Sequence, residues 1–282
     1  MQEFAVGGDT SGPYGIVVGP DGNLWCTLVH SGQIARLTPA GDVTLFDLDN
    51  PGAGPSVIVS GPDGALWFSR FQDGRIGRIT VNGELSSFAI PSPYGLAVQG
   101  GQLWTTELNA DRVWRVGLDG TAAAIELSTS GGMPSMLAAG EDGALWCTLN
   151  QGNAIARVDT GAVYPLPTEA AAPVGICAGG DGAAWFVEIG AGQVGRITGA
   201  GKIDEFPLPD RGARPHAIVA DPAGGCWFTE WAGNRVGHIS GDGGTIETYE
   251  LPTPRSEPHG LAVTPDGNVW VALEIGQVVR LR

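Results

Sequence analysis

Residues 258–270 read Pro-His-Gly-Leu-Ala-Val-Thr-Pro-Asp-Gly-Asn-Val-Trp, an apolar run, an Asp-Gly turn and a tryptophan. Six other stretches follow the same plan, with a proline 11 or 12 residues before a tryptophan. The prolines are Pro13, Pro55, Pro93, Pro134, Pro173, Pro215 and Pro258, and the tryptophans are Trp25, Trp67, Trp104, Trp146, Trp185, Trp227 and Trp270. Tryptophans recur every 37 to 43 residues, a period typical of propeller blades. We therefore predict an all-β fold, a seven-bladed β-propeller with four-stranded blades.

The two ends of the sequence indicate how the ring closes. The last repeat reaches a third strand at 277–281 and then has no fourth strand, whereas residues 3–6, Glu-Phe-Ala-Val, resemble the fourth strand at 205–208 of another repeat. The N-terminal strand is therefore predicted to complete the seventh blade, which removes an exposed sheet edge. Seven repeats fill the chain, so residues 1–282 are predicted to form a single domain.

Composition and charge limit the function classes. The 282-residue chain carries a formal net charge of -15, which disfavours nucleic acid as a partner because such binding requires basic side chains. No apolar run reaches the roughly 18 residues of a membrane span, and residues 1–6 do not read as a secretion signal. We expect no membrane association, a cytoplasmic location and a monomer, because a closed ring leaves no edge to pair. The four cysteines are expected to be small buried residues.

The third strand of each repeat has one basic position. Arginine fills it in six repeats and His238 in the sixth. His238 is therefore predicted to have the structural role of an arginine.

The residue after each repeat proline is predicted to lie at the mouth of the central channel, because the first strand starts where its antiparallel neighbour ends. Around the ring these residues are Tyr14, Ser56, Tyr94, Ser135, Val174, His216 and His259. Two aromatic rings, two hydroxyls and two imidazoles suit a small or medium organic ligand.

Glutamates lie at the end of the second strand in four repeats: Glu107, Glu188, Glu230 and, one place later, Glu274. Glu274 is distinguished by Glu257 and His259, which are two residues apart and would face one side of an extended segment. Carboxylates beside an imidazole suit a divalent cation next to a proton acceptor. His216 holds the equivalent place one blade earlier, and His30 is predicted to lie on the same rim.

These motifs, Arg-Pro-His at 214–216, Glu-Pro-His-Gly at 257–260 and a glutamate 15 residues after the second histidine, resemble the virginiamycin B lyase (streptogramin B lyase) family along the whole chain. The resemblance implies that His216 contacts substrate, that Glu257 and Glu274 hold Mg²⁺, and that His259 is the proton acceptor. Tyr14 and Tyr94 are expected to add to the substrate cup. The implied partner is a cyclic depsipeptide antibiotic of the type B streptogramins, linearised by β-elimination at its lactone ester, which gives antibiotic resistance.

Two other functions fit a propeller. A metal-dependent lactone hydrolase of the gluconolactonase type would usually have six blades and bind its cation with Asn and Asp in the channel. A non-enzymatic interaction propeller of the NHL-repeat type would be indifferent to chelators. Counting water in the product separates the lyase from the hydrolase.

Overall fold

A computed structural model describes residues 1–140 and 142–281; Glu141 and Arg282, which the predicted domain 1–282 includes, lie outside the described residues. A short strand, β1 (Gln2–Ala5), comes first. Blade one contains β2 (Pro13–Val18), β3 (Leu24–Leu28), β4 (Gln33–Leu37) and β5 (Val43–Asp47). Blade two contains β6 (Pro55–Ser60), β7 (Ala65–Arg70), β8 (Arg75–Thr80) and β9 (Leu85–Ala89), with a 3₁₀ turn at Phe71–Asp73 after β7. Blade three contains β10 (Pro93–Gln99), β11 (Gln102–Glu107), β12 (Arg112–Val116) and β13 (Ala122–Glu126).

The second half of the ring repeats this arrangement. Blade four contains β14 (Pro134–Ala139), β15 (Leu145–Leu149), β16 (Ala154–Arg157) and β17 (Ala162–Pro165). Blade five contains β18 (Pro173–Ala178), β19 (Ala184–Glu188), β20 (Gln193–Ile197) and β21 (Ile203–Pro207). Blade six contains β22 (Pro215–Ala220), β23 (Cys226–Glu230), β24 (Arg235–Ile239) and β25 (Ile246–Glu250). Blade seven contains β26 (Pro258–Val263), β27 (Val269–Leu273) and β28 (Gln277–Arg280).

The ring closes through the N-terminal strand. Strand β1 pairs antiparallel with β28, with Gln2 opposite Arg280 and Ala5 opposite Gln277, so the seventh sheet has the order β1-β28-β27-β26. The innermost strands contact one another in sequence around the ring, and β26 contacts β2. The predicted seven-bladed propeller with four-stranded blades and N-terminal closure is confirmed.

The repeat tryptophans hold each blade together. Trp25, for example, is buried, and its indole N–H donates to Asp21 Oδ1 at 3.0 Å; this bond accounts for the aspartate of the Asp-Gly turn. The guanidinium of Arg36 lies over the same ring, 5.8 Å from its centroid.

In blade six the ring of His238 takes the arginine position, 4.6 Å from the ring of Trp227. This placement agrees with the predicted structural role of His238.

Side-chain hydroxyls connect neighbouring blades near the channel. Thr229 of blade six, two residues after the repeat tryptophan, donates from Oγ1 to the backbone carbonyl of His259 in blade seven at 2.9 Å. Equivalent bonds run to the next blade from Thr27, Thr106 and Thr148. Blades five and seven have Val187 and Ala272 at this position and so cannot form the bond.

Candidate active site

A seven-fold series of backbone bonds shapes the rim that carries the candidate site. In each blade, the residue before the repeat proline has a positive φ, between 41° and 68°. Its carbonyl accepts the N–H of the residue that follows the second strand. We call these two residues the rim pair. The seven rim pairs are Gly12 and Val29, Gly54 and Phe71, Ser92 and Leu108, Met133 and Asn150, Ala172 and Ile189, Arg214 and Trp231, and Glu257 and Glu274.

Only the rim pair of blade seven has two carboxyl groups, Glu257 and Glu274, joined through the backbone at 3.3 Å. The expectation that Glu257 reaches the site from an extended segment was wrong, because its φ of 50° is left-handed. The backbone bond to Glu274, rather than strand alternation, brings the two carboxyl groups together. A left-handed φ is unusual for a residue with a side chain. The backbone hydrogen bond from Glu274 to Glu257 helps to stabilise this conformation.

Two imidazoles hold the carboxylate of Glu274. His259 Nε2 lies 2.8 Å from Oε2, and His30 Nε2 lies 2.6 Å from Oε1. The hydrogen bond from His259, together with that from His30, lowers the pKa of Glu274 to about 2 although burial opposes this shift. An ionised carboxylate only accepts hydrogen bonds, so each Nε2 carries the proton. The other ring nitrogen of His259, Nδ1, is a buried atom with no hydrogen-bond partner among residues 1–140 and 142–281.

The carboxyl group of Glu257 has the opposite shift. Burial, and then the neighbouring carboxylate of Glu274, raise its pKa. Two neighbouring carboxyl groups, one with a raised pKa and one with a lowered pKa, are an arrangement that a bound cation would stabilise. Mg²⁺ commonly binds through one or two carboxylates and completes its shell with water and substrate oxygens. The described residues contain no cluster of three or more His, Cys, Asp and Glu ligands, and the pair at 257 and 274 fits such an open site.

Tyr14, Tyr94 and His216 form a cluster of rings beside His259. We call this cluster the aromatic tier. The hydroxyls of Tyr14 and Tyr94 are 2.7 Å apart, and Tyr14 Oη lies 3.3 Å from His216 Nε2. The ring of Tyr14 is 4.3 Å from that of His259, and His216 meets His259 edge-on at 4.8 Å. Burial, and secondarily His259, lower the pKa of His216 to about 3, so this imidazole is neutral at pH 7. The tier is a set of uncharged hydrogen-bonding groups.

The tier adjoins a central cavity of about 260 Å³. Its wall takes residues from the first strand of every blade, among them Tyr14, Tyr94, Val174 and His216. Ser56 and Ser135, which were also predicted at the channel mouth, are not among the residues that line this cavity. Both are buried, and their hydroxyls donate to backbone carbonyls two residues earlier.

The other three glutamates that were predicted near the rim are buried within their blades. Glu107, Glu188 and Glu230 lie opposite the repeat prolines in the strand register, whereas Leu273 has that place in blade seven. Each is buried, and their carboxylates accept hydrogen bonds from Trp114, Gln193 and Arg235 respectively. Glu274 comes one residue later in its repeat than the other three glutamates, and this shift places it in the rim pair.

Replacement of Glu188 by glutamine is expected to stabilise the protein increasingly from pH 5 to pH 8. Burial raises the pKa of Glu188 from 4.5 to about 8, so the folded protein disfavours ionisation that the unfolded chain permits. The wild type thus loses stability as the pH rises from about 4.5 to about 8 and is affected equally above that range. Thermal melts of the wild type and Glu188→Gln across this range test the prediction; a constant difference in melting temperature would contradict it.

Sequence reasoning missed Trp231, which forms the rim pair of blade six with Arg214. The indole Nε1 of Trp231 is buried and has no hydrogen-bond partner in the part of the chain that the structure describes. Aligning the residue after each second strand would have revealed it, because most other blades have a smaller apolar residue there. Trp231 places a large aromatic ring in the blade next to Glu257 and Glu274.

Comparison with known proteins agrees with this geometry. The virginiamycin B lyase of Nocardia farcinica is 48% identical over 199 residues, which are 69% of this chain and 69% of that protein. A solved streptogramin B lyase is 40% identical with a TM-score of 0.93, covering 98% of this chain and 95% of that one. A catalytically inactive histidine-to-alanine variant of the Staphylococcus aureus virginiamycin B lyase, solved with quinupristin, is 38% identical with a TM-score of 0.92, covering 98% and 97%.

None of the described segments forms a helix with the length and apolar character needed to cross a membrane. The family model for virginiamycin B lyases matches residues 1–281, which confirms the resemblance drawn from the sequence motifs. The chain belongs to the virginiamycin B lyase family.

Proposed function

We propose that this protein is a carbon–oxygen lyase that opens the ring of type B streptogramin antibiotics by β-elimination. The observation that carries the proposal is the convergence of His216, Glu257, His259 and Glu274 at one rim, with His259 bonded to Glu274 at 2.8 Å. The relatives are described as virginiamycin B and streptogramin B lyases. One of them is inactive as a histidine-to-alanine variant solved with quinupristin, which supports a histidine as the central catalytic group.

In the proposed reaction, His259 removes the proton from the carbon α to a carbonyl of the substrate. The electron pair forms a double bond to the β carbon, and the bond from the β carbon to the ester oxygen breaks, so the carboxylate leaves and the ring opens. Glu274 accepts the hydrogen bond from Nε2 of His259. This bond orients the imidazole and stabilises the imidazolium that forms when His259 takes the proton. His259 then returns this proton to water.

Glu257 and Glu274 are the residues that would hold Mg²⁺. When bound, Mg²⁺ supplies Lewis-acid stabilisation of negative charge that develops on a substrate oxygen, an effect of several kcal/mol. A cation held there would lower the raised pKa of the Glu257 carboxyl group.

The aromatic tier and the cavity would hold the macrocycle. His216 is neutral at pH 7 because of its lowered pKa, so with Tyr14 and Tyr94 it binds by hydrogen bonding and ring contact instead of charge. Burial also raises the pKa of Tyr14, which keeps its phenol protonated. Uncharged donors and apolar walls suit a cyclic depsipeptide.

The deciding experiment incubates the protein with Mg²⁺ and quinupristin and follows the product by mass spectrometry. Elimination opens the ring without a change of mass, whereas hydrolysis adds one water. A chelator should stop the reaction, and added Mg²⁺ should restore it. A product heavier by one water would replace the proposal with the lactone hydrolase, and an intact antibiotic would reject both.

A further inference from the structure

We propose that His30 is a positioning residue that holds the Glu274 carboxylate of blade seven in place from blade one. The inference rests on the proposed function, because it assigns to His30 the task of fixing a proposed Mg²⁺ ligand and partner of the catalytic histidine. His30 and Glu274 are 244 residues apart in sequence and meet only through closure of the ring.

The two histidines use different oxygens of the carboxylate. His30 Nε2 donates to Oε1 at 2.6 Å and His259 Nε2 donates to Oε2 at 2.8 Å. One hydrogen bond on each oxygen fixes the plane of the carboxylate, and each oxygen keeps a second lone pair for a further partner. Without His30, the carboxylate could rotate about its last bond while still bonded to His259.

Local packing directs the His30 ring towards blade seven. Gly12, in the rim pair beside it, has a φ of 68°, and a Cβ atom there would lie 2.4 Å from Cδ2 of His30. The ring therefore packs directly against the backbone of Gly12. The side chain of His30 is 52% exposed and that of Glu274 is 23% exposed, so water reaches the bond mainly from the His30 side.

The blade interface gives an independent reason for this contact. Four other blades connect to the next by a threonine hydroxyl, but blade seven has Ala272 at that position. Blade seven therefore cannot make this hydroxyl bond to blade one, whereas Thr229 of blade six makes it to the backbone of His259 in blade seven. The bond from His30 to Glu274 supplies a connection between blades seven and one at the site itself.

The test compares His30→Ala, His30→Gln and Gln72→Ala. Gln72 is the matched control, because it holds in blade two the position that His30 holds in blade one. The backbone N–H of Gln72 donates to the carbonyl of Ala53, and the backbone N–H of His30 donates to the carbonyl of Ser11. Mg²⁺ affinity is measured by calorimetry without substrate, and kcat and KM are measured with quinupristin. Removing a residue that orients a metal ligand typically costs about 10- to 100-fold in metal affinity or activity. We expect this loss for His30→Ala, substantial recovery for His30→Gln, whose amide keeps a donor, and no change for Gln72→Ala.

A second measurement separates positioning from general destabilisation. In the Glu274→Gln background, His30→Ala should cause no additional loss, because a double-mutant cycle reports shared action, and melting temperatures should match that of Gln72→Ala. Wild-type Mg²⁺ affinity and kcat in His30→Ala would overturn the assignment while leaving the proposed function intact. Absence of turnover by the wild type would instead reject the proposed function.

Discussion

Alanine in place of His259 is expected to reduce kcat for streptogramin opening by about 10² to 10⁴-fold, the range that general acid–base catalysis contributes. The side chain of His259 lies among Tyr14, His216 and Glu274. The other imidazole of this group, His216, is a weak base because its pKa is lowered to about 3. Initial rates at saturating Mg²⁺ and quinupristin measure the effect.

The control for this variant is His238→Ala. His238 lies against Trp227 in the third strand of blade six, so its loss should lower the melting temperature without changing kcat. His259→Ala, in contrast, should keep a cooperative melt because Thr229 bonds to the backbone of residue 259 rather than to its side chain. Full turnover by folded His259→Ala would mean that another group is the base.

The second large effect is expected for Glu274→Gln, which should lower kcat by about 10³-fold or more. The amide removes the negative charge that stabilises protonated His259, and it can present an N–H where His259 needs an acceptor. In the serine protease triad, an analogous Asp-to-Asn change costs about 10⁴-fold for this reason. The same substitution removes one of two carboxylates proposed to bind Mg²⁺, so calorimetry should record weaker binding as well.

A matched glutamate tests whether charge alone matters. Glu126 lies on the outer strand of blade three, where it is exposed and pairs with Arg112 of the neighbouring strand, so Glu126→Gln makes the same change in net charge in a different blade from Glu257, His259 and Glu274. We expect Glu126→Gln to retain wild-type kcat and Mg²⁺ affinity. If Glu274→Gln behaved in the same way, the carboxylate would have no part in the reaction.

The repeat made the fold predictable from sequence. Tryptophan spacing gives the number of blades, and the likeness of residues 3–6 to other fourth strands gives the closure that pairs β1 with β28. The same internal comparison separated Glu274 from Glu107, Glu188 and Glu230. Their burial opposite the repeat prolines follows from strand register, which the sequence spacing encodes.

Other features depended on geometry that spacing does not encode. The left-handed φ of Glu257 arises from the rim pairing, and nothing in its local sequence signals it. Ser56 and Ser135 turn inward to bond backbone carbonyls, an option open to a short hydroxyl side chain but not to Tyr14 or His216. The bond between His30 and Glu274 joins distant residues and depends on how two blades pack.

Closure of the ring also affects when the site can exist during synthesis. The ribosome makes β1 before β28, so β1 has no strand to pair with until β28 has emerged. His30 likewise waits for Glu274, because the two come from blades one and seven. Blades two to six can fold on the nascent chain from local contacts, yet the carboxylate of Glu274 and its two histidines assemble only after blade seven has emerged. A chain stalled before blade seven would therefore present most of a propeller without Glu257, His259 and Glu274.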